Sequence, residues 1–180
     1  MARTDVLKII TPEQAATVLT TLAASDPEIR RKARVIARKL LGDVDVEELA
    51  EEVFWELDAI AVEQVWDRSG RKRDGYVDPG EAAWQLLEEA LEPFLDALRR
   101  CQRLGLSAQA TRHCMGILQG IYRFEKESQS EFKAWAVDAP GEYFASTYRE
   151  WRNGTTSREE VTEVRRFVKR FCPKRADLCR

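Results

Sequence analysis

Asp74, Asp78 and Glu81 are the residues whose type and spacing come nearest to chemistry. Three carboxylates in one short loop, interleaved with Gly75, Val77 and Gly80, are the oxygen donors that a hard cation such as calcium prefers. The softer donors are scattered. Cys101, Cys114, Cys172, Cys179 and the lone His113 include no C-x-x-C pair and no second histidine at ligand spacing. They are expected to be reduced structural thiols and an ordinary histidine. His113 has no identifiable Ser or Cys nucleophile to activate, and no Gly-rich phosphate loop follows a strand. The chain is therefore expected to have no catalytic activity and no cofactor.

The carboxylates belong to a charged loop running from Asp67 to Glu81. Within it, Asp74-Gly75-Tyr76-Val77-Asp78 followed by Glu81 resembles the second half of an EF-hand calcium loop. The acidic residue, turn glycine, apolar residue and final carboxylate fall in the expected order, with helical patterns on both sides. The resemblance implies Asp74, Asp78 and Glu81 as metal ligands. In that register the two earliest ligand positions fall on Gly70 and Lys72, and Arg71-Lys72-Arg73 bring three cations close to any divalent ion. The same residues have a second use: Asp78 as a helix N-cap, Pro79 at the first helical position, Glu81 closing a capping box and Gly75 in a turn. Capping is the expected role and calcium the alternative.

The elements that must position this loop are helical. Before it, Val46, Leu49, Ala50, Val53, Phe54, Leu57, Ile60, Ala61 and Val65 recur at the spacing of one helix face, opposite Glu47, Glu48, Glu51, Glu52, Glu56 and Glu63. Asp45 with Glu48 offers a capping box, and the pattern predicts one long helix over 45–65. After the loop, Trp84, Leu87, Leu91, Leu95 and Leu98 predict a helix over 81–100, with Pro93 expected to kink or split it. Toward the N-terminus, Thr11-Pro12-Glu13-Gln14 and Asp26-Pro27-Glu28 each start a helix, the second ending at Gly42.

Asp26-Pro27-Glu28-Ile29-Arg30, with Ala33 and the Leu40-Leu41 ending, resembles the second helix of a HEAT-type repeat, which implies stacked helix pairs that bind proteins or nucleic acid. No second copy recurs at a fixed period. The fold expected is all-α, an irregular bundle of about eight helices without a sheet, with a HEAT-like solenoid of stacked hairpins as the alternative.

Beyond Leu104-Gly105-Leu106, Ser107 is expected to cap a helix carrying Ala110, Cys114, Ile117, Leu118, Ile121 and Tyr122. Gly116 and Gly120 lie one turn apart inside it, where each costs up to ~1 kcal/mol against alanine. Close approach of another helix is the expected compensation, a ligand-accommodating notch the alternative. Further on, Ser128 with Glu131 is expected to cap a short helix, Asp138-Ala139-Pro140-Gly141 to open the next, and Asn153-Gly154 to close it. Phe144, Tyr148 and Trp151 share one face there and are the expected partner-binding surface, because Tyr and Trp dominate interface hot spots. Ser157 and Glu160 cap a last helix with Val161, Val164, Val168 and Phe171 inward, ended by Pro173, with a loose tail over 173–180.

At 180 residues the chain is the size of one ordinary domain. Hydrophobic residues at 44% and charged residues at 33% exclude a disordered polymer and a membrane protein. The formal net charge of -2 argues against a dedicated nucleic-acid coat, although the charge is segregated, acidic over 43–63 and basic over 28–39 and 165–175. The first residues do not read as a signal peptide and no apolar run approaches a bilayer span, so a cytoplasmic location without membrane contact is expected. The leading functional expectation is a protein–protein interaction module for an unidentified protein partner. The runner-up is nucleic-acid binding through Arg30, Arg34, Arg38, Arg165, Arg166 and Lys169.

Overall fold

The computed structural model of the chain describes residues 9–40, 44–72 and 75–179. Among these residues it is an all-α protein, with eight α-helices and one short β-hairpin. The chain divides into two compact units, residues 1–43 and 44–180.

The first unit is a helical hairpin of α1 (Pro12–Ser25) and α2 (Pro27–Leu40). Both starts follow the predicted cap chemistry. Thr11 Oγ1 accepts from the Gln14 N–H at 3.3 Å while Gln14 Oε1 accepts from the Thr11 N–H at 2.9 Å. Asp26 Oδ1 accepts from the Glu28 N–H at 2.7 Å and from the Ile29 N–H at 3.4 Å. Arg30 then reaches back to the C-terminal carbonyls of α1, donating to Ala23 O at 2.7 Å. The predicted stop at Gly42 lies outside the described residues.

The second unit contains α3 (Val46–Asp58), α4 (Val62–Arg68), α5 (Pro79–Arg103), α6 (Ser107–Glu127), α7 (Ala139–Asn153) and α8 (Arg158–Phe171). Its centre is α6, which buries Ala110, Cys114, Ile117, Leu118, Ile121 and Phe124 together with Thr111 and Gln119, and which α3, α5, α7 and α8 all pack against. A helix covered from several sides makes this unit an irregular bundle. A solenoid of stacked hairpins, in which each repeat meets only its neighbours, does not describe it.

Gly116 and Gly120 face α3 across the tightest contact. A Cβ on Gly120 would lie 2.5 Å from Val53 Cβ and 2.7 Å from the Ala50 carbonyl oxygen, and one on Gly116 would lie 2.7 Å from Leu49 Cδ2. Close helix approach, rather than a ligand notch, accounts for both glycines. Polar groups flank the same contact. Gln119 donates to Glu47 Oε2 at 2.7 Å, Arg123 reaches Glu47 Oε1 at 3.5 Å, and Arg112 donates to the Val44 carbonyl at 3.2 Å.

Several sequence expectations are corrected. The pattern over 45–65 is two helices, broken at Ala59–Ala61, where Ala59 ends α3 and the Gln64 side chain accepts from the Ala61 N–H at 2.9 Å. A glutamine amide takes the place of the glycine or proline that would have marked the break. Pro93 does not split α5, which continues through it; the proline sits on the exposed side, where water can take the carbonyl that loses its partner. The loop after α4 is a hairpin of β1 (Gly70–Lys72) and β2 (Gly75–Val77), with Gly70 paired to Val77 and Lys72 to Gly75, where no sheet was expected. Leu106, not Ser107, holds the cap position of α6, and Ser130, not Ser128, caps the 3-10 turn Glu131–Trp135.

The segment expected to be a loose tail is also ordered. It forms a 3-10 turn, Pro173–Cys179, held by Arg165 Nε on the Cys179 carbonyl at 2.8 Å and by Arg175 on Glu125 at 2.9 Å, with Cys179 buried. Ends stay loose when nothing ties them down, and here two arginines do.

Gly120→Ala is expected to destabilise the fold. Overpacking against a backbone carbonyl costs about 1–3 kcal/mol, and alanine's better helix propensity returns at most about 1 kcal/mol. A urea titration checks this; a midpoint at or above that of the unsubstituted protein would contradict the close contact.

Candidate functional site

Of the three loop carboxylates expected to matter, Asp78 is placed for capping. Asp78 Oδ1 accepts from the Gly80 N–H at 2.8 Å, with Pro79 at the first position of α5. Glu81 accepts from Gln85 Nε2 at 3.5 Å and does not close a box on Asp78. Asp74 lies outside the described residues. An EF-hand loop wraps its backbone and side-chain oxygens around the ion. Here residues 70–72 and 75–77 pair with one another as strands, with Gly70 at φ 85° and Gly75 at φ 141°, a backbone that favours glycine. Among the described residues, no three His, Cys, Asp or Glu side chains converge as a metal site.

Phe144, Tyr148 and Trp151 do share a face of α7, but it is the inward one. They are 0%, 3% and 0% exposed, with Trp151 5.8 Å from Tyr148 and its carbonyl taken by Gln102 Nε2 at 2.9 Å. In this fold they are core and present no surface to a partner. The reason is the position of α7 against α6, which leaves that apolar face nowhere else to go.

The basic candidates fall on different units. On α2, Arg34 is exposed, Arg30 is engaged with α1, and the Arg38 side chain lies outside the described residues. On α8, Arg166 and Lys169 are exposed, whereas Arg165 donates to Tyr148 Oη at 3.2 Å and to Cys179. The structure thus brings Arg165 and Tyr148 together, though for internal packing.

The four thiols are enclosed and the histidine is half-buried. All four cysteines are unpaired and buried, and burial pushes the Cys172 thiol up to about 12 and the Cys179 thiol to about 11, far from thiolate at neutral pH. Burial also lowers the His113 imidazole, whose Nδ1 is enclosed without a hydrogen-bond partner.

The surface feature that stands out was not singled out in the sequence. Glu48, Glu51, Glu52, Trp55 and Glu56 of α3 and Phe94 of α5 line an open groove of about 530 Å³. Trp55 is 57% exposed and Phe94 is half-buried. The Trp55 ring stands edge-on to Phe54 at 5.1 Å, and its indole N–H donates to Glu51 at 3.3 Å. The inner residues Leu49, Val53 and Leu57 anchor α3 on the core, which fixes the direction of the outer row. A signal for the site did exist: Trp55 interrupts the acidic side of its own helix, between Glu52 and Glu56 and outside the row that Val53, Phe54 and Leu57 form inward.

Compared with protein-family models, with curated proteins and with solved structures, the chain matches none. No helix among the described residues is long and apolar enough to cross a membrane.

Two outcomes test these placements. Asp78→Ala is expected to cost about 0.5–2 kcal/mol through the lost cap, by the same amount with and without added calcium. A calcium-dependent rise in melting temperature would contradict it. For His113, the folded chain holds the imidazole below its ordinary value of about 6.5, so the unfolded chain binds more protons near and below that pH. The stability this contributes is present above that value and lost as pH falls. His113→Gln should therefore lose less melting temperature than the unsubstituted protein between about pH 7 and pH 5; equal losses would show that the ring is not the sensitive group.

Proposed function

We propose that this chain is a non-catalytic interaction module that docks a partner protein on the outer face of α3 beside α5. One observation carries the reading: a largely exposed tryptophan next to a half-buried phenylalanine in an open groove. Large aromatics are normally drawn inward, and tryptophan is among the residues that dominate binding energy when left at a surface. Around the groove, Glu48, Glu51, Glu52 and Glu56 form the kind of polar surround that frames such anchors.

What would favour an enzyme is weakly represented. The thiols are enclosed and strongly protonated, and the histidine ring is turned into packing. Unpaired buried cysteines fit a reducing compartment, which supports a cytoplasmic location. The nucleic-acid reading is supported less well, since Arg30 and Arg165, though exposed, are engaged in hydrogen bonds to neighbouring carbonyls of the chain.

The test is site-specific photo-crosslinking in the folded full chain. A crosslinker at position 52 is expected to capture a discrete partner that one at Glu159, exposed on α8, does not, and Trp55→Ala should abolish the capture. Equal capture from both positions, or none from position 52 with Trp55 intact, would refute a docking surface on α3.

A further inference from the structure

The groove on α3 has a charge pattern that the chain leaves unanswered. Glu48, Glu52 and Glu56 follow one another at steps of four residues, with Glu51 between them. Like charges at this spacing oppose one another along a helix. Among the described residues, none of the four has a Lys, Arg or His nitrogen within 4 Å.

Elsewhere on the same unit, several carboxylates are answered by arginines. Glu89 meets both terminal nitrogens of Arg68 at 2.5 and 2.6 Å. Arg99 gathers Glu92, Asp96 and Glu150. Glu125 holds Arg175, and Glu127 holds Arg123. Even on α3, Glu47, which lies toward α6, has Gln119 and Arg123. Other surface glutamates among the described residues, Glu63, Glu142 and Glu163 among them, also lack a cation; what sets the four of the groove apart is that they surround Trp55 and Phe94.

Resting on the reading of this face as a docking surface, we propose that its occupant is a basic segment of a partner protein, bearing lysines or arginines about 6 Å apart. That interval is about the rise of four helical residues, hence of the step from Glu48 to Glu52 and from Glu52 to Glu56. The heads of such a segment meet the carboxylates as charge-assisted hydrogen bonds. Their aliphatic stems lie along Trp55 and Phe94, where the indole face adds a cation–π attraction. An acidic or purely apolar segment would leave the carboxylates unanswered. A basic one matches both halves of the groove.

The probe is a fluorescein-labelled helical peptide with arginine at every fourth position, titrated by anisotropy against the full chain, with a glutamate-substituted peptide as control. Binding is expected for the arginine peptide only, weakening as salt rises. The double variant Glu52→Gln, Glu56→Gln should weaken it several-fold. Trp55→Ala, which leaves the net charge unchanged, should weaken it about tenfold, with circular dichroism verifying that each variant is folded. Binding that ignores Trp55→Ala would be diffuse electrostatics and would overturn the proposal, as would no binding at low salt. A dimer of the protein alone, abolished by Glu52→Lys, would hand the groove to a second copy and overturn it too. If a crosslinker at position 52 captures a partner that the arginine peptide fails to displace, the surface docks a protein and only its basic character is wrong.

Discussion

At Gly116 and Gly120 the α6 backbone lies against α3 with no space for a Cβ, and most of the second unit depends on that contact. Because the two helices approach so closely, Leu49, Ala50 and Val53 cover the α6 surface directly. With α3 on one side and α5, α7 and α8 on others, α6 is buried nearly all round. That is why a helix of mixed composition can serve as the centre: glycines let a neighbour in, and the amide nitrogen of the buried Gln119 donates to Glu47. The cost of glycine in a helix is offset by the packing it permits.

The same contact determines which side of α3 is seen from outside. With its apolar row fixed on α6, the glutamates and Trp55 must point to solvent, next to the exposed edge of α5. The periphery is then closed by arginines. Arg68 joins α4 to α5, Arg99 joins α5 to α7, and Arg175 and Arg165 draw the last turn onto α6 and α8. Arg99 is held firmly charged, first by its hydrogen bond to Glu150. These pairs are partly exposed, so their service is to orient elements more than to stabilise them.

Much of this was legible in the sequence, and the parts that were share a local cause. The caps at Thr11, Asp26, Asp45, Asp78 and Ser157 are read correctly because a cap is decided by a few neighbouring residues. The paired glycines of α6 are legible too, since a helix tolerates them only for a reason. The break between α3 and α4 was hidden because Ile60 and Val65 keep the apolar rhythm across it while a glutamine side chain does the capping. The site was harder. Phe144, Tyr148 and Trp151 at one helix face read alike whether they anchor a core or a partner, and only the neighbour packed against them decides. Trp55 escaped for the opposite reason, as a single residue out of phase on a charged face.

The glycine contact also bears on how the sequence can change over time. Positions 49, 50 and 53 on one helix and 116 and 120 on the other share a single volume, so none of them can grow alone. A methyl group gained at 116 has to be matched by a smaller side chain at 49, whereas one gained at 120 also meets the Ala50 carbonyl, so that the two helices must separate and open the core behind them. Homologous chains should therefore show these positions drifting as a linked set, small opposite large, while the outward glutamates of the same helix remain free to follow whatever the surface meets.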